Sequence, residues 1–109
     1  MKFVYVAGPY TRGDVVINVR EAIKAAEILR NHGFIPFVPH LTHFWHLLFP
    51  HKIDYWYDYD NAWLKKCDVL LRLSGDSAGA DAEVGLAKEL GLPVYYSLVN
   101  LIDSCSTGS

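Results

Sequence analysis

A chain of 109 residues has the length of one domain, and one this short leaves enough surface exposed to make room for partner chains. Its 51% hydrophobic and 14% aromatic residues at a formal charge of −2 exclude disorder and give no basic footprint for polymeric nucleic acid. Only Cys67 and Cys105 carry thiols, too few for a metal cluster or a disulfide framework. A reducing cytoplasm is the expected setting, with no signal peptide and no apolar run of membrane-spanning length.

Phe3-Val4-Tyr5-Val6-Ala7 is short, β-branched and aromatic, and stops at Gly8-Pro9-Tyr10, so it reads as a buried first strand with a loop at its carboxyl end. From Asp14 the period changes: Val16, Val19, Ile23, Ala26 and Leu29 mark one face of a long helix, capped by Asp14 and closed by Gly33. Phe34 to Val38 is the second strand, and Pro36, which lacks a ladder donor, puts it at an edge or makes it irregular. The segment from Pro39 to Trp63 then holds eight of the fifteen aromatic residues, more than one small core can hide. Some are expected to wall a cavity and others to meet a second subunit.

Asp60, Trp63, Leu64 and Cys67 follow the i, i+3, i+4, i+7 rule of a helix, which places Asp60 at the head of an apolar stripe, although an Asp there can equally serve as a cap. Asp68 to Leu73 is strand three. A loop of small residues follows, and Ala80, Val84, Ala87 and Leu90 recur at helical spacing until Gly91 stops them, with Ser77 as the N-cap. Glu83 lies on that inward stripe. A carboxylate facing a core is costly unless it is paired or lines a cavity, so Glu83 marks a site unless its head reaches water. Leu92 to Tyr96 is strand four, Leu98 to Ile102 a closing helix or a fifth strand, and 104–109 a frayed tail behind a single domain 1–103. Strands alternating with helical periods imply a three-layer, flavodoxin- or Rossmann-like α/β domain, with a parallel sheet of four to five strands and helices on both faces.

Several chemistries fail on residues. Gly8 and Gly13 have P-loop spacing, but Asp14 stands where the phosphate-binding lysine belongs and would repel phosphate. No Gly-x-Gly-x-x-Gly follows strand one, so no dinucleotide cofactor is expected. His40, His43, His46 and His51 are bracketed by Pro39 and Pro50, and the expectation is a helix or loop with partly exposed histidines and no metal. Cys67 reads as a buried thiol, and neither Ser74 nor Ser77 sits in a nucleophile elbow. What remains is a carboxylate pair, Asp60 and Glu83, at the carboxyl edge of one sheet, with Tyr5 entering from strand one. Paired carboxylates suit glycosyl chemistry.

Three stretches, Tyr5-Val6-Ala7-Gly8-Pro9-Tyr10, Tyr59 to Asp68 and Asp76 to Ala87, together resemble the nucleoside 2-deoxyribosyltransferase family, which includes the 2'-deoxynucleoside 5'-monophosphate N-glycosidases. The likeness runs through Tyr96. It implies a flavodoxin-like fold, no cofactor, and a homodimer or dimer of dimers in which neighbours complete each other's sites. By that likeness Glu83 is the nucleophile that forms a glycosyl-enzyme at C1', Asp60 binds the sugar or assists protonation of the base, and Tyr5 orients Glu83. Gly8, Tyr10, Ser77 and Gly79 bind substrate, and Ser77, six residues before Glu83, resembles the serine that contacts a 5'-phosphate. The function implied is N-glycosidic cleavage of a nucleoside or its 5'-monophosphate, by hydrolysis or by 2-deoxyribosyl transfer. The alternatives are a nucleotide-binding or sensing module without turnover and an interaction protein whose aromatic segment docks a partner.

Overall fold

The computed structural model describes residues 2–105. Strand β1 (Phe3–Ala7) leads to helix α1 (Val15–Asn31), strand β2 (Ile35–Phe37) and a 3-10 turn at Pro39–Thr42, followed by α2 (His43–Leu48) and α3 (Ile53–Leu64). Strand β3 (Val69–Arg72), α4 (Ala78–Glu89), β4 (Val94–Tyr95) and α5 (Leu98–Cys105) complete the order. All pairings are parallel, in the order β2-β1-β3-β4. Because β1 and β3 are neighbours while their connections leave in opposite directions, the sheet has its topological switch point at their carboxyl ends.

The strand alternation divides the core. Val4, Val6, Val69 and Leu71 face α1 and α5, where Ala22, Ala25, Leu29 and Leu101 cover them. Tyr5, Ala7 and Leu70 face α3 and α4, against Leu64, Ala80, Val84 and Ala87. Helices thus cover both faces, as the alternating periods implied.

The sheet has four strands among the described residues, within the expected four to five, with Leu98 to Cys105 as the closing helix. Three details differ from the sequence reading. The closing helix passes the expected tail boundary by two residues, and 106–109 lie outside the described residues. Pro36 lies in an edge strand as expected, but β2 shrinks to three residues. In α1 the buried stripe is Ala22, Ala25 and Leu29, while Val16 is 75% and Ile23 44% exposed. Alanines let the helix axis approach the sheet, and the branched residues chosen by periodicity turn outward instead.

Two loops meet at the switch point. Leu73 N–H donates to the Ala7 carbonyl at 2.7 Å, and a Cβ on Gly8 would stand 3.0 Å from the Leu73 Cβ. Gly75 has φ +115, and a Cβ there would lie 2.8 Å from the Pro9 side chain. Glycine is needed on both counts at position 75. Gly75→Ala is therefore expected to lower unfolding stability by about 1–3 kcal/mol, measured from urea midpoints; an unchanged midpoint would mean that the two loops are not locked together.

Candidate active site

Tyr5 is the middle residue of β1 and is completely buried on the face of the sheet that α3 and α4 cover. Its hydroxyl donates to Glu83 Oε2. Glu83 is carried inward by its place between the buried Ala80, Val84 and Ala87 of α4. Beneath the pair, Tyr5 packs on Phe37 with centroids 5.5 Å apart, and Phe37 stacks on Trp63 at 5.2 Å and 18°.

Asp60 reaches the same place from α3. Its Oδ1 is buried and has no hydrogen-bond partner among the described residues. Burial, and then the nearby Glu83 charge, pushes the Asp60 carboxyl up to about 7. Burial likewise raises Glu83 to about 7, against the opposing pull of the Tyr5 hydrogen bond and the Arg72 charge. The Tyr5 phenol is driven far above its ordinary value by burial, and further by Glu83 and Asp60, so it remains a donor. Two acids in one poorly hydrated place cannot both ionise readily at neutral pH. The aids to an anion, the Tyr5 hydroxyl and Arg72, act on Glu83, which leaves Asp60 as the better holder of the shared proton.

Arg72 was read from sequence only as a strand residue. It is 8% exposed at the end of β3 and donates to the carbonyls of Leu73 and Gly75 and, at 2.9 Å, to Asp81 Oδ1. A cation in an otherwise apolar strand was the available signal. It fastens the loop after β3 to the first turn of α4 and puts positive charge near Glu83.

Ser77 caps α4, with its hydroxyl accepting from Ala80 N–H at 3.0 Å. Gly79 sits in that first turn, and a Cβ there would meet the Tyr57 ring at 3.8 Å. Tyr57 and Asp60 are three apart on α3, and Gly79 and Glu83 four apart on α4, so the two helices share one seam. Gly8 lies at the β1 exit, and Tyr10, in the loop that follows, shares a hydrogen bond with His43 Nδ1. The larger concavity at this edge, about 300 Å³, lies on the α1 side between Pro9, Asn18, Lys24 and Leu98. A smaller one adjoins Arg72, Asp81 and Tyr96, and neither is lined by Asp60 or Glu83.

The histidines do not assemble as ligands. His40 pairs with the Pro9 carbonyl, His43 with Tyr10 and His46 with Trp56, and no group of three metal-binding side chains occurs among the described residues. Cys67 is buried, its thiol pushed up to about 11 by that burial and by Asp68. Among the described residues no helix is long and apolar enough to cross a membrane.

The family described as "Domain of unknown function (DUF7768)" matches residues 2–97. No curated protein matches the chain. Among solved structures, a 2-deoxyribosyltransferase from the psychrotolerant bacterium Bacillus psychrosaccharolyticus superposes with a TM-score of 0.63 over 84% of this chain and 69% of that one, at 22% identity. That likeness shows the α/β fold.

The raised carboxyls make folding depend on pH. Between an ordinary carboxylate value of about 4 and the folded value of about 7, the native state holds protons that the unfolded chain has lost, so rising pH costs stability. Burial lowers His40, which pulls the opposite way below its ordinary value, so the comparison is made against Asp60→Asn. The stability of wild type relative to Asp60→Asn, from urea midpoints, is expected to fall between about pH 4 and about pH 8. A constant difference would show that Asp60 titrates normally.

Proposed function

The chain belongs to the family described as a domain of unknown function (DUF7768), and we propose that it cleaves the N-glycosidic bond of a nucleoside or its 5'-monophosphate through a glycosyl intermediate on Glu83. The observation that carries this reading is the half-buried Glu83 bonded by Tyr5, together with an Asp60 whose buried Oδ1 has no partner among the described residues. A solved structure that shares the fold is that of a 2-deoxyribosyltransferase, which supports the same chemistry.

In this reading Glu83, kept anionic by the Tyr5 hydroxyl and the Arg72 charge, attacks C1' of the sugar as the bond from C1' to the base nitrogen breaks. The base leaves with that electron pair and takes the Asp60 proton. Water or a second base then attacks C1', Glu83 leaves as carboxylate, and the incoming nucleophile's proton returns to Asp60. One proton across the two acids is what each half-reaction needs. Ser77 and Gly79, at the positive end of α4, receive the 5'-phosphate or 5'-hydroxyl, and Gly8 with Tyr10 forms the opposite wall. No cofactor enters these steps.

A homodimer, or a dimer of such dimers, belongs to the same proposal. Phe44, Trp45, Leu47, Leu48, Phe49 and Tyr55 of the aromatic segment are each more than 40% exposed, a patch that suits a subunit interface near the site. A second reading, a nucleotide-binding module without turnover, is favoured by the concavities lying beside the carboxylate pair and not over it.

Incubation with a panel of nucleosides and 5'-monophosphates is expected to release free base. Glu83→Gln should lower that rate by at least about a thousandfold, and Tyr5→Phe by about 10–100-fold for loss of a hydrogen bond to a charged group. Nucleotide binding without base release, unaltered in Glu83→Gln, would establish the module instead. The rate is also expected to be bell-shaped in pH, because Glu83 must be ionised while Asp60 is protonated; a rate that rises to a plateau would remove Asp60 as the proton donor.

A further inference from the structure

The histidine-rich segment has no role in the chemistry above, yet it touches the loop after β1 at two points. His40, carried by the 3-10 turn, is 4% exposed and its Nε2 lies 2.8 Å from the Pro9 carbonyl. A carbonyl only accepts, so Nε2 carries the proton, and the buried Nδ1 has no partner among the described residues. His43, at the start of α2, uses its other ring nitrogen, Nδ1, to share a hydrogen bond with the Tyr10 hydroxyl. The rings agree with the bonds, since Tyr10 meets His43 edge-on at 5.5 Å and His40 at 6.1 Å. From the other side Asn18 Nδ2 donates to the carbonyls of Tyr10 at 2.9 Å and Arg12 at 2.8 Å.

We propose that His40 and His43 are positioning residues that clamp the loop Gly8–Asp14 onto the 3-10 turn and α2, making segment 39–46 the element that sets the geometry of one wall of the site. The two ends of the clamp are themselves anchored. Thr42 donates to the Pro39 carbonyl at 2.8 Å, which closes the turn that holds His40. Trp56 Nε1–H donates to His46 Nδ1 at 2.8 Å, and Trp45 packs edge-on against Trp56 at 5.1 Å. These contacts join α2 to α3, the helix that carries Asp60. The loop from β1 and the acid from α3 are thereby held in one frame, although no bond joins them directly. That the clamped loop meets substrate rests on the function proposed above; that it is clamped does not.

The two histidines use different nitrogens, which gives an atom-level test. A Gln amide nitrogen reaches about as far as Nε2, and an Asn amide oxygen about as far as Nδ1. His40→Gln and His43→Asn therefore keep the bonds, whereas His40→Asn and His43→Gln lose them. Backbone order parameters from nitrogen-15 relaxation are read at residues 10–13 in all four variants, with thermal melts to confirm folding. The rescuing pair is expected to keep values near 0.85 and the disrupting pair to fall below about 0.6. Should base release be found in wild type, KM for the nucleotide is expected to rise about five- to tenfold in the disrupting pair only, with kcat within about twofold. Four variants with the same order parameters would overturn the clamp. Absence of base release from wild type would instead remove the proposed function while leaving the relaxation result to decide the clamp.

Discussion

The Tyr5 hydroxyl on the Glu83 carboxylate is the contact on which the arrangement depends, because it crosses from the middle of the sheet to the helix layer that covers it. A phenol has no reason to be completely buried in a central strand unless its hydroxyl finds an acceptor, and a carboxylate has no reason to sit among Ala80, Val84 and Ala87 unless a donor meets it. Each residue makes the other tolerable. The alanines of α4 let that helix approach β1 closely enough for the bond, and Phe37 packs against the Tyr5 ring. Leaving either group unpaired would cost about 1–3 kcal/mol or more in desolvation, so the pair fixes the register of α4 on the sheet as well as the chemistry of its rim.

Asp60 extends that bond into a proton-sharing site. With both acids lifted to about 7 and the donors gathered around only one of them, protonation divides unevenly. The division arises from position: α3 brings a carboxyl whose buried Oδ1 has no partner among the described residues, and α4 brings one that β1 and β3 both serve. Arg72 contributes from β3 without touching Glu83, since its hydrogen bonds go to the loop carbonyls and to the exposed Asp81. The cost of burying the cation is met locally, and its field remains available to the acid beside it.

Much of this could be read from residue order. The inward phase of Glu83 is legible in its spacing from Ala80 and Ala87, its pairing with Tyr5 is implied only by the family resemblance, and Pro36 marks an edge strand. The phase of α1 was misjudged for a physical reason: periodicity weights hydrophobicity, whereas the sheet selected Ala22 and Ala25 for their small size and left Ile23 outside. Leu98 to Ile102 is ambiguous in sequence because a short apolar run fits either period, and only packing against the core of Val4, Val6 and Leu71 resolves it. The bonds of Arg72 to the Gly75 carbonyl and of His40 to the Pro9 carbonyl were not legible, because no sequence pattern specifies where a loop carbonyl will point.

A direct view of the carboxyls themselves reaches the centre of the account. Carbon-13 resonances of the Asp60 and Glu83 side-chain carboxyls would be followed through a pH titration of the wild type and, for Asp60, of Glu83→Gln. The account predicts that both carboxyls titrate near neutrality in the wild type and that Asp60 shifts toward a lower pH once Glu83 is neutralised. Ordinary titration of both groups near about pH 4, with Asp60 indifferent to the change at Glu83, would contradict it.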